Sequence, residues 1–99
     1  MIERINKNEE RLNNILLSIK ELDNALNTFK NKKKDIYLIN KYYESKNWFL
    51  DKEKYESNKI KNIKAGVLSE DSVWNMNEDI NDLINEMKNI IKEWEQKKD

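Results

Sequence analysis

Apolar residues recur at helical spacing from the N-terminus to residue 43. They stand at Ile2, Ile5, Leu12, Ile15, Leu16, Ile19, Leu22, Leu26, Phe29, Ile36 and Ile39. From Leu12 to Phe29 the steps alternate between three and four, the a/d seam of a coiled coil, with Leu16 widening it on one side. Lys33 interrupts an a position and Ile36 resumes at d. Neither glycine nor proline breaks the run. The pattern therefore predicts one helix from about residue 2 to about residue 43, roughly 60 Å long.

The same periodicity returns near the C-terminus. Ile80, Leu83, Ile84, Met87, Ile90, Ile91 and Trp94 mark one face of a predicted last helix, from about residue 70 to about residue 96. Ser69 is its expected N-cap, with Glu70 and Asp71 in the first turn, where the helix dipole favours acids. Leu68 and Val73 have the spacing of a hydrophobic staple. A capping box would need Glu or Gln at position 72, which is Ser72. Acids come early in this segment, at Glu70, Asp71, Glu78, Asp79, Asp82 and Glu86. Lys88, Lys92, Lys97 and Lys98 follow, an order that opposes the dipole at both ends and stabilises the helix.

Between the two patterns lies an aromatic-rich linker. Tyr42, Tyr43, Trp48, Phe49, Tyr55 and Trp74 all fall between positions 42 and 74. Ser45 is placed to cap a short helix over about 46–55, its hydroxyl accepting from the amide of Asn47 or Trp48. The segment from Glu56 to Ala65 reads as irregular or weakly helical, anchored by Ile60 and Ile63. Gly66, the only glycine, is expected to end it in the left-handed conformation of a C-cap. Trp48 is expected to pack against Tyr42 or Tyr43 and near Val73 or Trp74. The fold expected is all-α, a single domain over 1–99. Two long antiparallel helices, about 2–43 and 70–96, would be joined by a linker holding one or two short helices.

Composition narrows the chemistry. Hydrophobic residues make up 37% and charged residues 38% of the 99, a balance suited to helices with one apolar stripe. The net charge of zero and the strict periodicity argue against disorder. There is no cysteine, which excludes disulfides and thiolate metal sites. There is no histidine, which removes the commonest general base and transition-metal ligand. No apolar run approaches the roughly 20 residues that span a bilayer. The charged N-terminal stretch lacks the apolar core of a signal peptide, so a cytoplasmic location is the expectation.

Two motifs carry a resemblance that covers essentially the whole chain. Tyr42, Tyr43, Ser45, Trp48 and Asp51 spell Tyr-Tyr-x-Ser-x-x-Trp-x-x-Asp, and residues 66–71 read Gly-Val-Leu-Ser-Glu-Asp. Together they resemble a small bacterial all-helical family catalogued as domain of unknown function 4298. Glu44 stands where members usually carry glycine, and Ile60 near a position that is often proline. The resemblance implies a helical fold and brings no activity with it. The motif residues, with Gly66, Leu68, Ser69, Glu70 and Asp71, are read as structural.

The remaining candidates have plainer readings. Glu78, Asp82 and Glu86 lie at i, i+4, i+8 and offer oxygens to a cation such as Mg²⁺, but also form an ordinary solvated helix face. Glu53 and Glu56, with Asp79 and Asp82, loosely resemble the paired acids of MazG-type all-α nucleotide pyrophosphohydrolases, which use a metal-activated water. The second pair is Asp-x-x-Asp where Glu-x-x-Asp is expected. Lys30, Lys32, Lys33, Lys34, Lys59, Lys61 and Lys64 could follow phosphates, yet the zero net charge favours pairing with the chain's own acids over nucleic acid. Ser45 and Ser69 have no histidine to activate them as nucleophiles.

The function expected is that of a protein–protein interaction or structural module that self-associates, without catalytic residues, cofactor, metal, nucleic acid or membrane partner. The alternative is a Mg²⁺-dependent pyrophosphohydrolase-like enzyme. The interaction residues expected are Ile5, Leu12, Ile15 and Leu16. If residue 70 starts beside residue 43, equal rise per residue brings residue 96 to about the level of residue 17. Residues 2–16 then overhang with an apolar stripe that something must cover. A second copy about a two-fold axis is the expected cover. A helix of another protein, or a fold-back near Asn13 and Asn14, are the other possibilities.

Overall fold

The computed structural model describes residues 1–96. It contains α1 (Ile2–Lys30), α2 (Lys33–Tyr43), α3 (Lys46–Glu56) and α4 (Ser72–Gln96), with a 3₁₀ turn at Gly66–Leu68 before α4. Among the described residues there is no strand, so the chain is all-α. Lys97 and Lys98, expected to complement the end of the last helix, lie outside the described residues. No helix among the described residues is long and apolar enough to cross a membrane. The chain divides into two compact units, Met1–Leu38 and Ile39–Asp99.

The helix expected over 2–43 is divided in two. Its interruption falls at Asn31 and Lys32, where the amide of Lys32 turns back to Phe29 at 2.9 Å, a tighter bond than the helix repeat. The regular pattern resumes when Ile36 donates to the Lys32 carbonyl at 2.9 Å. The local cause is legible in the residue types. Lys30, Lys32, Lys33 and Lys34 crowd like charges into one turn, around an asparagine of modest helix propensity. Asn13 and Asn14, by contrast, lie within an unbroken α1, so the fold-back near them does not occur.

In the first unit, α1 runs for 29 residues, about 43 Å at the usual rise, with no buried residue. In the second unit, α3 and α4 both pack on the 3₁₀ turn. The buried hydrophobic residues are Trp48 from α3, Leu68 from the turn and Val73 from the first turn of α4. The end of α2 meets α4 through a reciprocal amide pair. Asn40 donates to Asn77 Oδ1 at 3.3 Å, and Asn77 donates to Asn40 Oδ1 at 2.8 Å. Nearer the linker, Tyr43 reaches the Glu70 carbonyl at 2.8 Å. These contacts set the end of α2 beside α4 and the segment that precedes it. The half-buried amide pair favours this placement, because a slide by one residue would break both of its hydrogen bonds.

Two asparagines do what the single glycine was expected to do. Asn58 (φ 61°) follows the C-terminus of α3, where Asn58 donates to the Tyr55 carbonyl at 3.2 Å and Lys59 to the Lys54 carbonyl at 3.0 Å. Those two bonds and the left-handed residue between them make a Schellman motif, and asparagine is the best substitute for glycine there. Asn62 repeats the positive φ (61°) within the following loop. Gly66 has no positive φ and opens the 3₁₀ turn instead. A Cβ at Gly66 would meet nothing within 4 Å, so neither sterics nor backbone conformation demands glycine.

The start of the last helix is also displaced. Helix α4 begins at Ser72, and its first backbone bond runs from Asn75 to the Asp71 carbonyl at 2.8 Å. Glu70 and Asp71 thus precede the first turn rather than fill it. Ser69 still uses its hydroxyl locally, accepting from the Asp71 amide at 3.3 Å. A serine–amide bond two residues ahead closes a turn before the helix, and that turn takes up the two residues.

Candidate functional site

Two features of the chain carry side chains in arrangements that could serve a function. One is the aromatic junction of α3, the 3₁₀ turn and α4. The other is the apolar face of α1.

The junction is built around Trp48. Ser45 caps α3, accepting from the Trp48 amide at 3.3 Å while donating to the Tyr42 carbonyl at 2.6 Å. This fixes Trp48 in the first turn, with its indole directed inward and 4% exposed. Its Nε1–H donates to the Val67 carbonyl at 2.9 Å, satisfying the one polar atom that burial would otherwise strand. Tyr43 and Phe49 stack edge-on against it, each with centroids 5.1 Å away. The Lys52 ammonium sits 5.1 Å from the ring centroid, a cation–π contact one helical turn along α3.

Lys52 also ties the junction together electrostatically. Its Nζ lies 2.6 Å from Glu70 and 3.8 Å from Glu56. The hydrogen bond to Glu70 holds the Lys52 ammonium above its usual pKa and the Glu70 carboxyl below its own. These groups border a shallow open depression with Tyr55, Ala65, Leu68 and Ser69. It is occupied at its rim by the ion pair and presents no nucleophile with an adjacent base.

Tyr42 and Asp51 form the second polar clamp. The phenol donates to Asp51 Oδ2 at 2.6 Å. That hydrogen bond, with partial burial and the carboxylate's charge, pushes the phenol from 10.0 up to about 12. The neutral phenol is the form the fold favours, so its contribution is complete below pH 10 and is lost as pH rises through about 12. Tyr42→Phe is expected to cost about 1 kcal/mol at neutral pH. In denaturant titrations the gap between parent and variant should close from pH 10 towards 12. A gap unchanged over that range would show that the phenol's proton plays no part.

The motif residues are thus brought to one place. Tyr42, Tyr43, Ser45, Trp48, Asp51, Leu68 and Glu70 all bond or pack within the junction. Gly66, Ser69 and Asp71 form the backbone that delivers Leu68 and Val73 to it. Lys52 and the Val67 carbonyl are participants that motif reading missed. The signal for Lys52 was its place one turn after Trp48; for Val67 there was none, since a carbonyl's role does not depend on its side chain. Of the two residues expected near Trp48 on the last helix, Val73 is buried and Trp74 is 59% exposed.

The acids are distributed differently. Glu53 and Glu56 lie on α3, and Glu78, Asp79, Asp82 and Glu86 on α4, all solvent-exposed. Among the described residues no group of three or more His, Cys, Asp or Glu is placed to hold a metal ion. Lys30, Lys32, Lys33 and Lys34 cluster at the turn between α1 and α2, while Lys59, Lys61 and Lys64 line the loop after α3, again all exposed.

The face of α1 is the larger unexplained feature. Ile5, Leu12, Ile15 and Leu16 are 56%, 49%, 56% and 54% exposed. The seam continues through Ile19, Leu22, Leu26 and Phe29, also exposed. A stripe of this extent on one helix exceeds the scattered apolar exposure normal for a soluble surface.

Comparison with known proteins adds one match. A family model described as "Domain of unknown function (DUF4298)" matches residues 5–90. No curated protein and no solved structure matches the chain.

Proposed function

We propose that this chain, which belongs to the DUF4298 family of domains of unknown function, is a protein–protein interaction module that self-associates through α1. The observation that supports this reading is the 29-residue α1 with an apolar seam and no buried residue. A lone helix of this composition is marginal in water, because most helix stability comes from packing an apolar face. Covering the seam removes apolar surface at a gain of about 25 cal/mol per Å². A second copy brings an identical seam at equal concentration, and two-fold pairing is the commonest oligomer symmetry. The aromatic junction then acts as a scaffold, with Trp48 of α3 bonded to the 3₁₀ turn on which α4 also packs.

Light scattering across a micromolar concentration series tests the reading. The expected result is a mass rising towards twice the 12.0 kDa chain with concentration. A monomer mass throughout would remove self-association and transfer the seam to a helix of a different protein.

A further inference from the structure

We infer that the second copy pairs with α1 antiparallel in one particular register, selected by Glu9 and Lys30; this rests on the self-association proposed above. With Leu12, Ile19 and Leu26 at a and Ile15, Leu22 and Phe29 at d, an antiparallel pair sets a against d of the partner. One alignment matches these six apolar positions with one another and leaves Ile5 beyond the overlap. Leu12 then faces Phe29 of the second copy, Ile15 faces Leu26, and Ile19 faces Leu22. Each contact occurs twice about the two-fold axis.

The flanking charges choose this alignment over its neighbours. In antiparallel pairs the e positions of the two helices lie beside each other, and here those positions are Glu9, Leu16, Asp23 and Lys30. The six-contact alignment places Glu9 beside Lys30 of the second copy, twice. Leu16 then stands beside Asp23 of the second copy, a contact that adds no charge repulsion. Shifting by one heptad brings Ile5 against Phe29 and keeps as many apolar pairings, but it sets Glu9 beside Asp23, a like-charge contact, and buries the polar Asn8 against Leu26. Shifting by a second heptad loses the ion pair as well, and again presents Asn8 to the seam, now opposite Ile19. The overlap ends at Lys30, where α1 itself ends at the Asn31 turn. All the residues invoked are solvent-exposed and lie within the first unit.

Charge reversal tests the register without touching the seam. Glu9→Lys places Lys beside Lys30 at both contacts, and Lys30→Glu places Glu beside Glu9. Each variant alone is expected to raise the dimer dissociation constant about tenfold, two exposed pairs each changing from attraction to repulsion. An equimolar mixture of the two variants should associate more tightly than either alone, since every contact across the mixed pair is then opposite in charge. The double variant Glu9→Lys/Lys30→Glu should return to the parent's constant. If the parent dimerises and neither single variant weakens it, the register is overturned while self-association stands. If the parent itself is monomeric, the self-association reading falls and the register falls with it.

Discussion

Trp48→Ala is expected to destabilise the chain by about 3–5 kcal/mol, the usual cost of removing a buried tryptophan. The size of the effect follows from how many elements the indole serves. It is 4% exposed, it takes edge-on contacts from Tyr43 and Phe49, and its Nε1–H satisfies the Val67 carbonyl. Truncation opens a cavity between α3 and the 3₁₀ turn. It strands that carbonyl and removes the ring over which Lys52 lies. Trp48→Phe separates these contributions, because it keeps most of the apolar volume and deletes the N–H. Its cost should be smaller, of the order of 1–2 kcal/mol. Urea or thermal melts decide the matter, and an alanine variant that melts with the parent would show that the junction does not hold the second unit together.

The second large effect belongs to Leu12. Leu12→Asp is expected to abolish self-association over the micromolar range, raising the dissociation constant by roughly a thousandfold or more. Two copies of the substitution would face Phe29 across the pair, each an unpaired carboxylate in an apolar seam. Leu17 supplies the control. It is 55% exposed against 49% for Leu12, yet its heptad position points away from the seam. Leu17→Asp should therefore leave the mass unchanged. Dissociation by both substitutions alike would mean that general loss of apolar surface, rather than the seam, is being measured. Persistence of the dimer with Leu12→Asp would move the interface elsewhere.

Periodicity made the long helices readable. Five alternating steps from Leu12 to Phe29 leave no other regular structure open, and the steps from Ile80 to Trp94 do the same for α4. The short helix was readable for a different reason, a serine at position 45 ahead of a run without breakers. The breaks were harder. Nothing at Asn31–Lys32 is a strong breaker, and the interruption falls within a run of like charges, Lys30, Lys32, Lys33 and Lys34, that no single residue announces. The expectation at Gly66 failed because glycine permits the left-handed conformation without requiring it. Asn58 and Asn62 take it instead, since their short polar side chains lower its cost. At the start of α4, Ser69 and Asp71 both have cap-forming side chains, and the choice between them depends on where the 3₁₀ turn leaves the backbone. Within the junction, the aromatic density from Tyr42 to Phe49 pointed to Trp48, but the partner of its N–H is a backbone atom that side-chain chemistry does not mark.

The scarcity of burial has a calorimetric consequence. Among the described residues the buried hydrophobic ones are Trp48, Leu68 and Val73, and no large side chain is fully enclosed. The heat-capacity increment of unfolding scales with apolar surface newly hydrated, so for the single chain it falls well below the roughly 1.2–1.5 kcal/mol/K usual for a domain of about 100 residues. Its free-energy curve against temperature is then broad and shallow, with stability changing little between cold and warm conditions. Curvature of the ordinary magnitude would enter only with the surface that association covers, and would grow with protein concentration.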